Sequence, residues 1–182
     1  MPGSSEDRRR DRMQVLVKAA TIAVCGLLVA SCASESYQSA AMQASESGDQ
    51  KAAIRLAKKE VARFSEPDQC SHASRINCGT LALAYGTLAG YQVLDGDSSA
   101  AEKSFTSAKW ALNLTEPENR ASATAMVYRD VSEAFWKVGN RARATSVLNE
   151  GRAAGADKWL YMSSAARAAD RQPVDPQPTE LH

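Results

Sequence analysis

The sequence predicts an all-α fold built from helical hairpins that repeat along the chain. Alanine is abundant and glycine is rare inside the long segments, a composition that favours helices. Apolar residues recur with helical spacing between the turns. Glycine followed by Asp or Asn marks three turns, at Gly48, Gly96 and Gly139, with separations of 48 and 43 residues. Repetition on this scale indicates helix pairs that stack on one another.

Residues 1–31 have the three parts of a secretory signal: a basic region, a short apolar core and small residues before a cleavage point. The uncharged stretch from Ala19 to Ala30 holds 12 residues, whereas a membrane-spanning helix needs about 20. Gly26 would further weaken a permanent helix here. These features favour a cleaved signal over the alternative, a transmembrane anchor.

The signal closes with Val29-Ala30-Ser31-Cys32, which resembles the lipobox of bacterial lipoproteins. In that family a branched aliphatic residue and two small residues precede an invariant cysteine. The resemblance implies cleavage before Cys32 and covalent lipid on its thiol, and we expect no other cofactor. Residue Ala33 follows in place of Asp, which in enteric bacteria implies the periplasmic face of the outer membrane. The inner membrane is the alternative, because the sorting rule varies among bacteria.

The rest of the chain is predicted to form one small domain. We assign residues 32–36 to a lipidated tether, 37–171 to the helical repeat domain and 172–182 to a disordered Pro-rich tail. The segment before Cys32 holds five of the 22 basic residues and three of the 21 acidic ones, so the remainder is close to neutral. A neutral domain gives no reason to expect a nucleic-acid partner.

Two cysteines, Cys70 and Cys78, remain after Cys25 leaves with the signal and Cys32 takes the lipid. An exported domain meets an oxidising compartment, so we expect these two thiols to form a disulfide. The alternative is a metal site that includes His72. Because a clear fourth ligand is absent from this stretch, we predict no metal.

The predicted helices follow the turn signals in order. Residues 34–47 give a short helix of small and polar residues before the first glycine turn, and 51–64 place apolar residues on one face and charged residues on the other. A loop with Pro67 follows, and Asn77 is a plausible N-cap for the third helix. The remaining helices are predicted at 78–94, 98–114, 118–138, 141–154 and 158–171.

These hairpins resemble tetratricopeptide (TPR) repeats. In that family the first helix carries, in order, a large residue, a Leu, a small residue and an aromatic residue. A Gly-Asp-type turn follows. The second helix carries an Ala, then an aromatic or aliphatic residue, and then another Ala. The second hairpin matches at Tyr85, Leu88, Ala89, Gly96-Asp97, Ala101, Phe105 and Ala108. The third matches at Tyr128, Val131, Ser132, Phe135, Gly139-Asn140, Ala144 and Leu148, with Gly151 replacing the last Ala. The first matches at Tyr37, Ala40, Ala41, Gly48-Asp49 and Ala53.

The resemblance implies a TPR-like α-solenoid, although the spacing of the turns exceeds the usual repeat of about 34 residues. An unrelated helical bundle is the alternative. In TPR domains the first helices line a concave groove that holds a peptide or a helix. The corresponding positions in this sequence are Gln38, Met42, Leu83, Gly86, Gly90, Met126, Arg129, Glu133, Trp136 and Lys137.

Two pairs among these positions have alternative interpretations. Trp136 and Arg129 belong to residue types that are enriched at interface hot spots, but Trp136 could instead pack against the terminal helix. Gly86 and Gly90 lie within a helix, where each costs about 1 kcal/mol relative to Ala. They indicate either close approach of a neighbouring helix or room for the backbone of a ligand.

The sequence favours a protein-binding scaffold over an enzyme. His72 and His182 are the only histidines, and no Ser-His-acid set, metalloprotease motif or phosphate loop is present. Lipid-anchored members of the family that this chain resembles act in pilus, secretion or surface-structure assembly, or as adaptors of peptidoglycan enzymes. The resemblance therefore implies a protein partner in the cell envelope. The alternative is a periplasmic module for a glycan or small molecule, with Trp110, Trp136 and Trp159 as stacking residues.

Overall fold

The computed structural model describes residues 36–160 and 163–170, which form helices and no strand. The all-α prediction is confirmed for this part of the chain. The helices are α1 (Tyr37–Glu46), α2 (Gln50–Phe64), α3 (Cys78–Leu94), α4 (Ser98–Leu114), α5 (Pro117–Lys137), α6 (Arg141–Gly151), α7 (Asp157–Leu160) and α8 (Ser164–Ala169). The predicted signal, Cys32 and the tail 172–182 lie outside the described residues.

Three helical hairpins, α1–α2, α3–α4 and α5–α6, close through the same turn. In each turn the glycine has a positive φ, between 82° and 88°, which favours glycine over residues with a Cβ. The backbone N–H of the next residue donates to the carbonyl five positions earlier, as in a Schellman motif. That residue then caps the second helix with its side chain. The caps are Asp49, Asp97 and Asn140, which accept from backbone N–H groups at 2.8, 2.9 and 3.1 Å.

Helix α3 lies at the centre of the fold and packs against α2, α4 and α5. It is apolar on most of its circumference, as expected of a helix surrounded by others. The core beside it contains Leu81, Phe105 and Tyr128, and the last two rings meet edge to face with centroids 5.2 Å apart. The second and third hairpins therefore share one core.

The mid-helix glycines of α3 have different environments. An ideal Cβ on Gly86 would lie 3.2 Å from both Cγ atoms of Val127 and 3.3 Å from its Cα. Helices α3 and α5 therefore approach closely at Gly86. The same Cβ on Gly90 would meet the Asp130 carbonyl oxygen at 3.7 Å, an ordinary contact. Of the two interpretations, helix approach applies to Gly86.

The Cys70 and Cys78 sulfur atoms lie 2.09 Å apart, at disulfide distance, and both residues are buried. They tie the loop between α2 and α3 to the first residue of α3. Asn77 occupies the N-cap position but makes no side-chain cap. Its amide donates to Gln69 Oε1 at 2.6 Å instead, so the predicted N-cap position is correct but the side chain does not cap the helix.

The C-terminal part differs from the single predicted helix at 158–171. Helix α6 ends at Gly151 and continues as a π-helical turn over Arg152–Ala156, in which Gly155 has a φ of 84°. Two short helices, α7 and α8, then follow. The second of these, α8, is capped by Ser163, whose side chain accepts from Ala166 N–H at 2.9 Å. The left-handed Gly155 lies before the predicted helix, and the new N-cap at Ser163 divides it.

Candidate functional site

A cavity of about 360 Å³ is lined by residues of α1, α3 and α5, the first helices of the three hairpins. We call it the three-helix cavity. It is bordered by residues near the carboxyl ends of these helices. They are Met42, Ser45, Glu46, Thr87, Gly90, Tyr91, Leu94, Asp130, Glu133, Ala134 and Lys137.

A second cavity, of about 460 Å³, lies near the amino ends of α3 and α5, beside the loop that precedes α3. We call it the loop cavity. Its lining combines small and polar residues with three larger apolar side chains. The lining residues are Arg75, Ile76, Gly79, Thr80, Leu83, Thr115, Glu116, Asn119, Ser122, Ala123 and Met126.

The two cavities follow the same face of α3 and of α5. The lining residues of α3 are at 79, 80, 83, 87, 90, 91 and 94, and those of α5 are at 119, 122, 123, 126, 130, 133, 134 and 137. Steps of three and four residues keep side chains on one side of a helix. At about 1.5 Å per residue, this face extends for about 22 Å along α3. We refer to it, with both cavities, as the first-helix groove.

The first-helix groove exposes apolar side chains at both cavities. Met42 at the three-helix cavity is 50% exposed, and at the loop cavity Ile76 is 82% and Met126 40% exposed. Large exposed apolar side chains grouped along one concave surface are typical of interaction sites. The groove therefore offers apolar contacts at separate points along its length.

Charge in the three-helix cavity is mainly negative, with Glu46, Asp130 and Glu133 against Lys137. The Asp130 Oδ1 atom accepts from Arg129 Nε at 3.0 Å and Nη2 at 2.8 Å. Burial raises the pKa of the Asp130 carboxyl above its ordinary value, although the neighbouring guanidinium acts in the opposite direction. A cation that entered the cavity would favour the ionised form of this carboxyl.

Tyr91 lines the same cavity as these carboxylates. Burial raises the pKa of its phenol, and the negative charges of Asp130 and Glu46 raise it further. The phenol therefore stays protonated and can donate a hydrogen bond, while its ring gives an apolar surface. A phenol ring beside carboxylates suits a cationic side chain with an aliphatic stem.

Glu133 borders the three-helix cavity and also holds the C-terminal segment. Its Oε1 atom accepts from the backbone N–H of Ser164 and, at 3.2 Å, from that of Ala165. A carboxylate at the first turn of α8 satisfies N–H groups that lack helical partners. Glu133 therefore links α8 to α5 at the end of the groove.

The structure brings four of the predicted groove residues together at the three-helix cavity: Met42, Gly90, Glu133 and Lys137. Leu83 and Met126 line the loop cavity. The remaining predictions fall outside both linings.

Among these, Gln38 is exposed on α1 and Gly86 is buried against Val127. Arg129 pairs with Asp130, which itself borders the three-helix cavity. Trp136 lies under the guanidinium of Arg141, with Cζ 3.5 Å from the ring centroid. The face of this indole is therefore already in contact with a cation.

Sequence reasoning missed Glu46, Tyr91 and Asp130. Glu46 and Asp130 each follow a predicted groove residue, Met42 and Met126, by four positions, so helical spacing could have found both. Ile76 lies in the loop before α3. Helical spacing gives no signal for a loop residue.

Neither a metal centre nor a membrane span occurs in the described ranges. Within residues 36–160 and 163–170, no three His, Cys, Asp or Glu residues are grouped as a metal site requires. No helix in this part of the chain combines the length and apolar composition needed to cross a bilayer. In comparisons with known proteins, no family model, curated protein or solved structure matches the chain.

Proposed function

We propose that this chain is a lipid-anchored envelope protein that acts as a docking scaffold, with TPR-like helix pairs that bind a segment of a partner protein. The lipobox-like residues from Val29 to Cys32 support the anchor, and by the same resemblance the location is the periplasmic face of the outer membrane. The partner belongs to an envelope assembly such as a pilus, a secretion system or another surface structure.

The repeated geometry of the hairpins supports a TPR-like arrangement. The same glycine turn and side-chain cap close each pair. Ion pairs also join the second helices of the second and third hairpins. Arg143 bonds to Glu102, and Lys109 to Glu150, each across 41 residues. Helix pairs that contact their neighbours along the chain are the basis of solenoid stacking.

The observation that carries the proposal is the first-helix groove, which has exposed apolar side chains at both cavities and an excess of carboxylates at one. This combination fits a helix or an extended segment with apolar residues and at least one Lys or Arg. An Arg or Lys side chain could lay its stem on Tyr91 and place its charge near Asp130 and Glu46.

Binding of a glycan or small molecule has less support. Of the three tryptophans proposed for sugar stacking, Trp110 and Trp136 line neither cavity, and the side chain of Trp159 lies outside the described residues. The groove is also long and open along α3 and α5, which suits a chain segment.

Selection from a peptide display library on the purified mature protein tests the proposal. We expect enrichment of peptides that combine apolar residues with Lys or Arg. Their affinity should fall at least tenfold in Glu46→Lys, because the reversed charge repels the cation, but not in the matched control Glu66→Lys, which changes an exposed loop residue. Peptides without basic residues, or equal losses in both variants, would contradict the proposed groove chemistry.

A further inference from the structure

Helix α2 carries a face that is exclusively cationic. Five basic side chains lie on one side of the helix, separated by steps of three or four residues except for one adjacent pair, and all five are exposed. They are Lys51, Arg55, Lys58, Lys59 and Arg63. The acidic residue of this helix, Glu60, is buried, with 6% of its surface exposed. We call this surface the α2 basic face.

The positive charges of the α2 basic face are not neutralised by carboxylates of the described residues. Within the described residues, none of its five side chains forms an ion pair with a carboxylate. Like charges at positions i and i+4, such as Lys59 and Arg63, repel each other and destabilise a helix. An external anionic partner would offset this repulsion. Elsewhere, Arg129, Arg143 and Arg152 each pair with carboxylates of the chain itself.

The α2 basic face also lies beside the point where the domain meets its proposed anchor. Lys59 Nζ is 5.5 Å from the ring centroid of Tyr37, the first residue of α1. Cys32 precedes Tyr37 by five residues. At no more than about 3.6 Å per residue, the chain between them spans at most about 18 Å. A lipid on Cys32 therefore keeps Tyr37 and Lys59 near the bilayer surface.

We infer that the α2 basic face binds the anionic phospholipid surface of the membrane that anchors Cys32. This inference rests on the lipid anchor in the proposed function. A single lipid attachment leaves a domain free to rotate, and a basic patch adds the second contact that holds it. Tyr37, 36% exposed at the entry of the tether, suits the headgroup layer, where tyrosine is enriched.

Energy transfer in vesicles tests the inference with the acylated mature protein. One fluorophore is placed at Ala62, an exposed position on α2, and in a separate sample at Thr106, an exposed position on α4. The acceptor is a headgroup-labelled lipid. The vesicles contain phosphatidylcholine alone or with phosphatidylglycerol. We expect transfer from Ala62 to rise severalfold in the anionic vesicles and to fall at high salt, and transfer from Thr106 to change little.

A charge variant and a matched control complete the test. Arg55→Gln with Lys58→Gln should abolish the rise, whereas Lys103→Gln with Arg167→Gln, which changes two exposed basic residues elsewhere, should preserve it. Equal transfer in both vesicle types would overturn the inference.

Flotation with the vesicles separates the two proposals. If the protein floats but energy transfer does not depend on vesicle charge, only the inference about the α2 basic face is contradicted, and the lipid anchor is not. Protein that fails to float contradicts the lipid anchor and this inference with it.

Discussion

Gly151 lies where the absence of a side chain decides how α6 packs. An ideal Cβ there would lie 2.8 Å from Tyr128 Cβ and from Leu160 Cδ1, closer than carbon atoms can approach without displacement. Gly151 therefore lets α6 contact α5 and α7 at the position where the TPR pattern has Ala. Close packing therefore explains why this chain has glycine in place of the Ala of that pattern.

Gly151→Ala should lower the free energy of unfolding by about 1–3 kcal/mol, because overpacking forces neighbouring groups apart. Urea unfolding followed by circular dichroism measures this change. The control is Gly90→Ala, whose Cβ meets only ordinary contacts and which should raise the free energy of unfolding by up to about 1 kcal/mol through helix propensity. Equal effects of the two substitutions would contradict the packing argument.

The sequence could mark Gly86, Gly90 and Gly151 as unusual but could not separate their roles. Helix propensity indicates that a glycine in the middle of a helix is unfavourable. It does not indicate which neighbouring helix packs closely against that glycine. The distances to Val127, Asp130 and Tyr128 depend on how α5 packs. Roles of this kind become visible only with tertiary structure.

At the scale of elements, α4 and α6 are joined by an ion-pair network centred on Arg143. Its guanidinium donates to Glu102 at 2.7 and 2.8 Å and to Glu150 at 2.9 Å. Burial opposes ionisation of Glu150, but the hydrogen bond from Arg143 and the nearby Lys109 hold its pKa below the ordinary value. The ionised network links the second and third hairpins on the side of α4 and α6.

Arg143→Met should lower the free energy of unfolding at pH 7 by about 1 kcal/mol or less, since the network is partly exposed. The Glu150 carboxyl has a lowered pKa when folded, so its contribution is present above the unfolded pKa and is lost as pH falls through the folded pKa. The difference between wild type and variant should therefore shrink in acid. Urea unfolding at several pH values measures it.

Lys103→Met, at an exposed residue of α4 without an ion pair in the described part of the chain, serves as the control and should show no such trend. A difference between wild type and Arg143→Met that stays constant with pH would argue against the ion-pair contribution.

The disulfide between Cys70 and Cys78 is the second link between elements. Replacing both cysteines with Ser should lower the free energy of unfolding by about 2–3 kcal/mol, because the nine-residue ring no longer restricts the unfolded chain. Thermal unfolding of the variant and of wild type under reducing agent should give matching decreases. An unchanged stability in both would show that the ring contributes little.

Element positions were predictable where composition and turn signals agreed. Helices α3 and α4 have the predicted bounds, 78–94 and 98–114, because glycine turns and Pro117 delimit long apolar patterns. The C-terminal helix was wrong because the predicted range 158–171 holds the end of α7 and all of α8 instead of one helix. Ser163, a good N-cap residue, was the available signal for the restart.

At the scale of the whole molecule, the groove forms because the first helices of three hairpins share one side. Periodicity and the TPR resemblance placed Met42, Gly90, Glu133 and Lys137 on that side, and all four border the three-helix cavity. The acidic character of the cavity was not predicted. It depends on the position of α1 relative to α5, which the spacing of residues along each helix does not specify.

Binding of a cationic peptide to the groove should weaken as pH falls. Asp130 has a raised pKa, so it takes up a proton at higher pH than an ordinary Asp and loses its attraction for the cation. Glu46, Glu133 and Lys137 also line the cavity. Asp130→Asn should bind more weakly at pH 7 and lose less of its affinity as the pH is lowered, as measured by calorimetry. An Asn variant with the wild-type pH profile would exclude Asp130 as the group responsible.

Photo-crosslinking in cells is the most direct test of the groove as a docking site. A photoreactive residue replaces Met42 or Met126 in the groove, or Trp110 on α4, which is 46% exposed and lines neither cavity. We expect one envelope protein to be captured at both groove positions and not at Trp110, and to be lost when Glu46→Lys is added. Capture at Trp110 as strong as in the groove, or different proteins at Met42 and Met126, would contradict a single partner held by the first helices.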